Sequence, residues 1–127
     1  MRILVVDDDH VFAGLICDAL QMSGHEARRV PTTESGIAAL LEHRYDVLLL
    51  DLDLGATRGE TLISRVRSLG ERLPAIIILS GQPSDVLAAA VTATGAAAAV
   101  RKPCSIEELL AAIALAAPLP QAVPQRV

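Results

Sequence analysis

Short apolar runs alternate with longer segments of helical periodicity along most of the chain. The apolar runs span residues 3–6, 26–30, 47–50, 75–79 and 97–100. The second run is the weakest, and alanine makes the last one ambiguous. Between the runs, apolar side chains such as Val11, Leu15 and Ile16 recur every three or four residues, which is the spacing of one helix face. The pattern predicts five strands alternating with five helices.

Residues that favour helix ends mark where the predicted helices begin and end. The expected helices span 10–22, 32–43, 59–69, 84–94 and 105–117. Glycines follow three of them, where a left-handed backbone favours this residue: Gly24, Gly70 and Gly95. Side chains that accept hydrogen bonds are expected to cap the starts: Asp9, Thr32 or Thr33, Ser84, and Ser105 in a capping box with Glu108.

The predicted strands are apolar on both faces, which is typical of parallel strands covered by helices on both sides. The fold class is therefore expected to be α/β, with a five-stranded parallel sheet and helices on both faces. The chain has 127 residues, enough for one domain and too few for two. We assign residues 1–117 to this domain and the proline-rich residues 118–127 to a tail or linker.

Composition argues against several classes of function. The chain is 52% apolar and 20% charged, and its net charge of −4 without a basic cluster argues against direct binding of nucleic acid. No apolar run approaches the length of a membrane span and no basic leader comes first, so a cytoplasmic protein is expected. Four residues are interpreted as packing residues: Cys17, Cys104, and the single phenylalanine and tyrosine, Phe12 and Tyr45.

Polar side chains follow four of the five predicted strands, and only the second ends in the chemically inert Val30 and Pro31. Because the carboxyl ends of parallel strands lie at one edge of a sheet, the polar side chains are expected to meet there. They are Asp7, Asp8, Asp51, Asp53, Ser80 and Lys102. Clustered carboxylates repel each other unless a cation binds, and their oxygens suit Mg²⁺. A metal, a lysine and a serine around one carboxylate suit phosphoryl transfer, with that carboxylate as the nucleophile.

Four motifs at strand ends make the sequence similar to the receiver domain of response regulators in bacterial two-component signalling. The motifs are VVDDD at 5–9, LLLDLDLGATRG at 48–59, ILSG at 78–81 and RKP at 101–103. The likeness covers roughly residues 2–117. Each motif alone is weak, but the four in this order are specific. The resemblance implies the flavodoxin-like strand order 2-1-3-4-5.

The resemblance also implies a metal site and a phosphoacceptor. Asp51 is the implied phosphoacceptor and a ligand of Mg²⁺. Asp8 is implied to bind the metal directly, and Asp7 directly or through water. Asp53 is implied to offer its backbone carbonyl to the metal.

The remaining implied roles concern the phosphoryl group and the partners. Lys102 is implied to pair with Asp51 and then with the phosphoryl group, to which Ser80 donates a hydrogen bond. The Lys102–Pro103 bond is cis in this family.

The implied phosphodonor is the phosphohistidine of a histidine kinase or phosphotransfer domain, and the acyl phosphate shifts a conformational equilibrium. The chain is thus expected to be a self-phosphorylating switch with slow autodephosphorylation, not an enzyme. An output domain, a protein partner and a homodimer are left open.

The sequence departs from the family pattern at three positions. Gly55 replaces the usual proline, and Cys104 replaces a common apolar or aromatic residue. Ala99 stands where many members carry a Tyr or Phe that changes rotamer on activation. A methyl group cannot fill the volume of a ring, so we expect activation to work through Ser80, the loop after it and the helix at 84–94.

Two alternatives are weighed against this interpretation. The pair Asp51 and Asp53 resembles the DxD motif of haloacid-dehalogenase phosphohydrolases. That superfamily, however, places its acidic pair late in the chain, whereas here the acidic pair comes first, and a cap domain does not fit in this length. The other alternative is a pseudo-receiver, an interaction module that is never phosphorylated. Since every phosphorylation residue is present, it is the minority interpretation.

Overall fold

The computed structural model describes residues 1–54 and 57–116, with the backbone alone for Thr57. Within these residues the strands are β1 Arg2–Val6, β2 Glu26–Val30, β3 Val47–Asp51, β4 Asp53–Leu54, β5 Thr57–Arg58, β6 Ala75–Ser80 and β7 Ala98–Arg101. The helices are α1 His10–Met22, α2 Thr33–Glu42, α3 Gly59–Ser68, α4 Ser84–Thr94 and α5 Ile106–Ala116. Gly55, and the tail predicted at 118–127, lie outside the described residues.

Five strands form one parallel sheet in the order β2-β1-β3-β6-β7, which confirms the predicted fold class and strand order. β3 is the middle strand, and every one of its residues is buried. Its neighbours are β1, in register Val6 to Leu50, and β6, in register Asp51 to Leu79. The ends of β1, β3 and β6 therefore lie side by side at one edge of the sheet.

The helices cover both faces of the sheet, as predicted. Alternate strand side chains point to opposite faces, so Leu4 and Val6 belong to one apolar core, and Ile3 and Val5 to the other. Helices α2, α3 and α4 close the first core, and α1 and α5 close the second. No helix within the described ranges has the length and apolarity that crossing a bilayer requires.

Most predicted helix ends are confirmed. The side chains of Asp9 and Thr32 cap α1 and α2, and Ser105 forms the expected capping box with Glu108. Three glycines after helices have positive φ: Gly24 at 89°, Gly70 at 76° and Gly95 at 74°. The prediction for Ser84 was wrong, because Pro83 occupies the N-cap position and Ser84 is the first helical residue.

A second, antiparallel sheet was not predicted. It consists of β4 and β5, with Asp53 paired to Arg58 and Leu54 to Thr57. Pairs of two residues are too short to give a periodic pattern in the sequence. This small hairpin follows β3 directly, so it forms part of the surroundings of Asp51.

Candidate functional site

Three carboxylates gather at the edge where β1 and β3 end. Asp51 is the last residue of β3, while Asp7 and Asp8 follow β1. One oxygen from each of the three side chains lies within 4.8 Å of the others, close enough to bind one metal ion. Asp7 and Asp51 are buried, with 2% and 5% of their surfaces exposed, whereas Asp8 is exposed. The cluster is therefore shielded from solvent at Asp7 and Asp51 and open to solvent at Asp8.

Each buried carboxylate is oriented by a backbone N–H two residues further along the chain. The N–H of Asp9 donates to Asp7 Oδ1 at 2.9 Å, and that of Asp53 donates to Asp51 Oδ1 at 3.0 Å. These repeated turns fix both side chains at the strand ends. They also leave the second oxygen of each carboxylate, Oδ2, facing the same cation.

That cation is the ammonium group of Lys102. Its Nζ lies 2.8 Å from Asp7 Oδ2 and 3.5 Å from Asp51 Oδ2. The backbone N–H of Lys102 donates to the carbonyl of Ser80 at 2.8 Å. This hydrogen bond holds the backbone of Lys102 beside the end of β6. The Lys102–Pro103 bond is cis, as the resemblance implied. The resemblance implied Asp51 as the partner of Lys102. In the structure Lys102 contacts Asp51 but lies closer to Asp7.

Burial and neighbouring charges shift the pKa values of Asp51 and Lys102. Burial raises the pKa of Asp51 to about 6, aided by the Asp7 charge and opposed by the N–H of Asp53 and by Lys102. Burial acts to lower the pKa of Lys102, but its contacts with Asp7 and Asp51 outweigh that effect and raise it. At neutral pH the site therefore holds a mostly ionised Asp51 beside a charged lysine.

Ser80 is fully buried at the end of β6. Its hydroxyl lies 3.5 Å from Asp53 Oδ2, to which it donates, and it accepts from the N–H of Gln82 at 3.1 Å. Ser80 therefore lies at the predicted edge, engaged with the acid two residues after Asp51. Gly59, at the start of α3, is also close, because a Cβ there would collide with the Asp51 carbonyl oxygen.

Two neighbours of the site were not recognised in the sequence. The ring of Phe12 on α1 lies against Lys102, with Nζ 4.6 Å from the ring centroid. Arg29, the residue before the Val30 that was considered inert, donates from Nη1 to the carbonyl of His10 at 2.9 Å. Together with Asp7 and four further residues, Arg29 lines a cavity of about 240 Å³; the others are His10, Ala13, Val30 and Pro31. Neither contact has a signal in the sequence, because both depend on how α1 packs on the sheet.

Comparison with known proteins agrees on one family. A family model described as response regulator receiver domain matches residues 3–114. The chain is 33% identical over 111 residues to the transcriptional regulatory protein RprY of Bacteroides fragilis, which covers 86% of this chain and 46% of that protein. The chain spans about half the length of the curated relatives it matches.

Solved structures have the same fold. The chemotaxis protein CheY4 of Vibrio cholerae superimposes with a TM-score of 0.83 at 23% identity, covering 91% of this chain and 97% of that one. A response regulator from Burkholderia pseudomallei, solved with a phosphorylated aspartic acid, calcium and citrate, gives a TM-score of 0.78 at 29% identity. That match covers 87% of this chain and 65% of the other.

Proposed function

The chain belongs to the response regulator receiver domain family of two-component signalling, and we propose that it is a phosphoacceptor switch in which Asp51 receives a phosphoryl group. The observation that carries the proposal is the arrangement around Asp51. One oxygen of its carboxylate lies within 4.8 Å of an oxygen of Asp7 and of an oxygen of Asp8. Lys102 contacts the two buried acids, Asp7 and Asp51.

Asp51 fits the role of the nucleophile. Its pKa of about 6 leaves it mostly ionised at neutral pH, and burial lowers the hydration that an attacking carboxylate must lose. The oxygen of Asp51 attacks the phosphorus of a phosphohistidine, and the bond between phosphorus and the imidazole nitrogen breaks. The electron pair leaves with the imidazole, and the product is an acyl phosphate on Asp51.

The donor set fits Mg²⁺, which prefers carboxylate and carbonyl oxygens and retains water ligands. Asp7, Asp8 and Asp51 provide the carboxylates, and the backbone carbonyl of Asp53 is the proposed fourth protein ligand. The exposure of Asp8 leaves room for water at the entrance. When bound, the metal supplies positive charge that neutralises the acids and the incoming phosphoryl oxygens. The solved Burkholderia relative contains calcium, which is a hard cation like Mg²⁺.

Lys102 and Ser80 are proposed to bind the phosphoryl group once it is attached. Lys102 already lies 3.5 Å from Asp51 Oδ2, so a short movement brings its ammonium to a phosphoryl oxygen. Ser80 must exchange its contact with Asp53 for one with the phosphoryl group. That exchange moves the backbone after β6, and we propose that it passes the signal to α4.

The proposed partners follow from the chemistry of the site and from the family. A histidine kinase or phosphotransfer domain supplies the phosphohistidine. Residues 1–117 form the proposed receiver unit, and 118–127 a tail or linker to an output domain or protein partner. Self-association into a homodimer is a further proposed output. We propose a cytoplasmic protein without direct contact to nucleic acid or to a membrane.

Labelling kinetics with a small phosphodonor test the proposal. Incubation with acetyl phosphate and Mg²⁺ should add one phosphoryl mass to the wild-type protein, and chelation of the metal should abolish the gain. Asp51→Asn should not be labelled, while the matched control Asp53→Asn should be. No labelling of the folded wild type with Mg²⁺ present would instead favour the pseudo-receiver alternative.

A further inference from the structure

The only phenylalanine of the chain lies at the candidate site. The sequence contains one Phe and one Tyr, and the Phe12 ring faces the ammonium of Lys102 at 4.6 Å. A cation this close to a ring face is attracted by the ring quadrupole. Tyr45 makes a similar contact with Arg2 at 5.6 Å, but Arg2 opens β1, at the opposite edge of the sheet.

The ring is held in place by its helix. Phe12 lies in the first turn of α1, where its N–H donates to the capping Asp9 side chain at 3.0 Å. Its side chain is partly buried and packs against the core beneath α1 and α5. The ring is therefore partly packed into the core and lies beside the four-carbon side chain of Lys102.

The ammonium of Lys102 has three described neighbours, Asp7, Asp51 and the Phe12 ring. The two carboxylates are also the proposed ligands of Mg²⁺. A divalent cation held by their oxygens competes with the ammonium for the same electron pairs and repels it. The ring is the one neighbour that does not bind the metal, so its attraction for Lys102 persists when the metal is present.

We propose that Phe12 is a positioning residue, whose ring holds the Lys102 ammonium beside Asp51 while the carboxylates are engaged by the metal. The inference rests on the proposed function of Asp51 and adds a residue to it. In this role the ring attracts the Lys102 ammonium and takes no part in the chemistry.

A change in ring electronics at constant shape tests this role. Because the chain has one Phe, growth of a phenylalanine auxotroph on trifluorinated phenylalanine alters only the ring at position 12. Fluorine withdraws the electron density that attracts a cation. Labelling of Asp51 by acetyl phosphate with Mg²⁺ should slow by about two- to fivefold, the equivalent of about 0.5–1 kcal/mol. Phe12→Leu should slow it at least as much, and Phe12→Tyr should keep the normal rate.

Fluorinated tyrosine is the matched control, since it alters only Tyr45 and should leave the rate unchanged. A second readout needs no phosphorylation: nuclear Overhauser effects between the Lys102 ε-methylene and the Phe12 ring should persist when Mg²⁺ is added. Loss of these effects on adding Mg²⁺, or a labelling rate insensitive to fluorination, overturns the positioning role. In both cases normal labelling of the wild type leaves the proposed function standing. Absence of labelling in the wild type overturns both.

Discussion

Replacing Lys102 with methionine should destabilise the protein strongly in the absence of metal. The ammonium lies 2.8 Å from one buried carboxylate and 3.5 Å from another. At an effective dielectric constant of about 20, these separations correspond to attractions of about 6 and about 5 kcal/mol. Desolvation offsets most of this, and removing one partner of a buried ion pair costs about 3–5 kcal/mol. Because the Lys102 side chain is 23% exposed, the lower end, about 3 kcal/mol, is expected.

Urea unfolding of the wild type and Lys102→Met, with and without Mg²⁺, measures this effect. Mg²⁺ should stabilise the variant more than the wild type, because in the variant it is the only cation that can separate Asp7 from Asp51. Arg65→Met is the control, since Arg65 pairs with Glu34 at the surface at 3.5 Å and should contribute at most about 1 kcal/mol. A loss below about 1 kcal/mol in Lys102→Met, or an equal gain from Mg²⁺ in both proteins, would show that Lys102 does not offset the repulsion between the buried acids.

Three further predictions concern the acids and the switch. Asp8→Ala should reduce the rise in melting temperature on adding Mg²⁺ without lowering the metal-free melting temperature, because it removes one of three mutually repelling charges; a lower metal-free value would make Asp8 structural. Since the folded state raises the pKa of Asp51 to about 6, folding takes up a proton between about pH 4 and 6, and ionised Asp51 costs stability above that range. As the pH rises from 4 to 7, the free energy of unfolding of Asp51→Asn should therefore increase by about 2–3 kcal/mol relative to the wild type, as measured by urea unfolding. A difference that does not change with pH would contradict the raised pKa of Asp51. Ser80→Ala should still be phosphorylated, but a phosphoryl mimic should no longer change amide hydrogen exchange at 81–95; an unresponsive wild type would show that the signal leaves elsewhere.

The strand-end residues could be predicted from the sequence because parallel strands deliver their carboxyl ends to one edge. That rule placed Asp7, Asp51 and Lys102 together without any knowledge of side-chain conformation. It did not predict that Lys102 would lie nearer to Asp7 than to Asp51. That preference depends on the side chain's path from β7, which the hydrophobic pattern does not encode.

Other features required the packed structure. Phe12 has the pattern of a packing residue, and only the placement of α1 on the sheet brings its ring to Lys102. The contact between Ser80 and Asp53 depends on the short β4–β5 hairpin, which has no periodicity to detect. Ala99 is partly buried and packs against the core beneath α2, α3 and α4. The expected switch without an aromatic ring stays a prediction.

The assignment of Asp51 as the phosphoacceptor can be tested by locating the modified residue. Reduction of the labelled protein with borohydride converts a phosphorylated aspartate to homoserine, and peptide mass spectrometry then identifies the position. We expect conversion at Asp51 alone, dependent on Mg²⁺ and blocked by Asp51→Asn. Conversion at Asp53, Asp8 or Asp7 in the wild type, or at any position without metal, would contradict it.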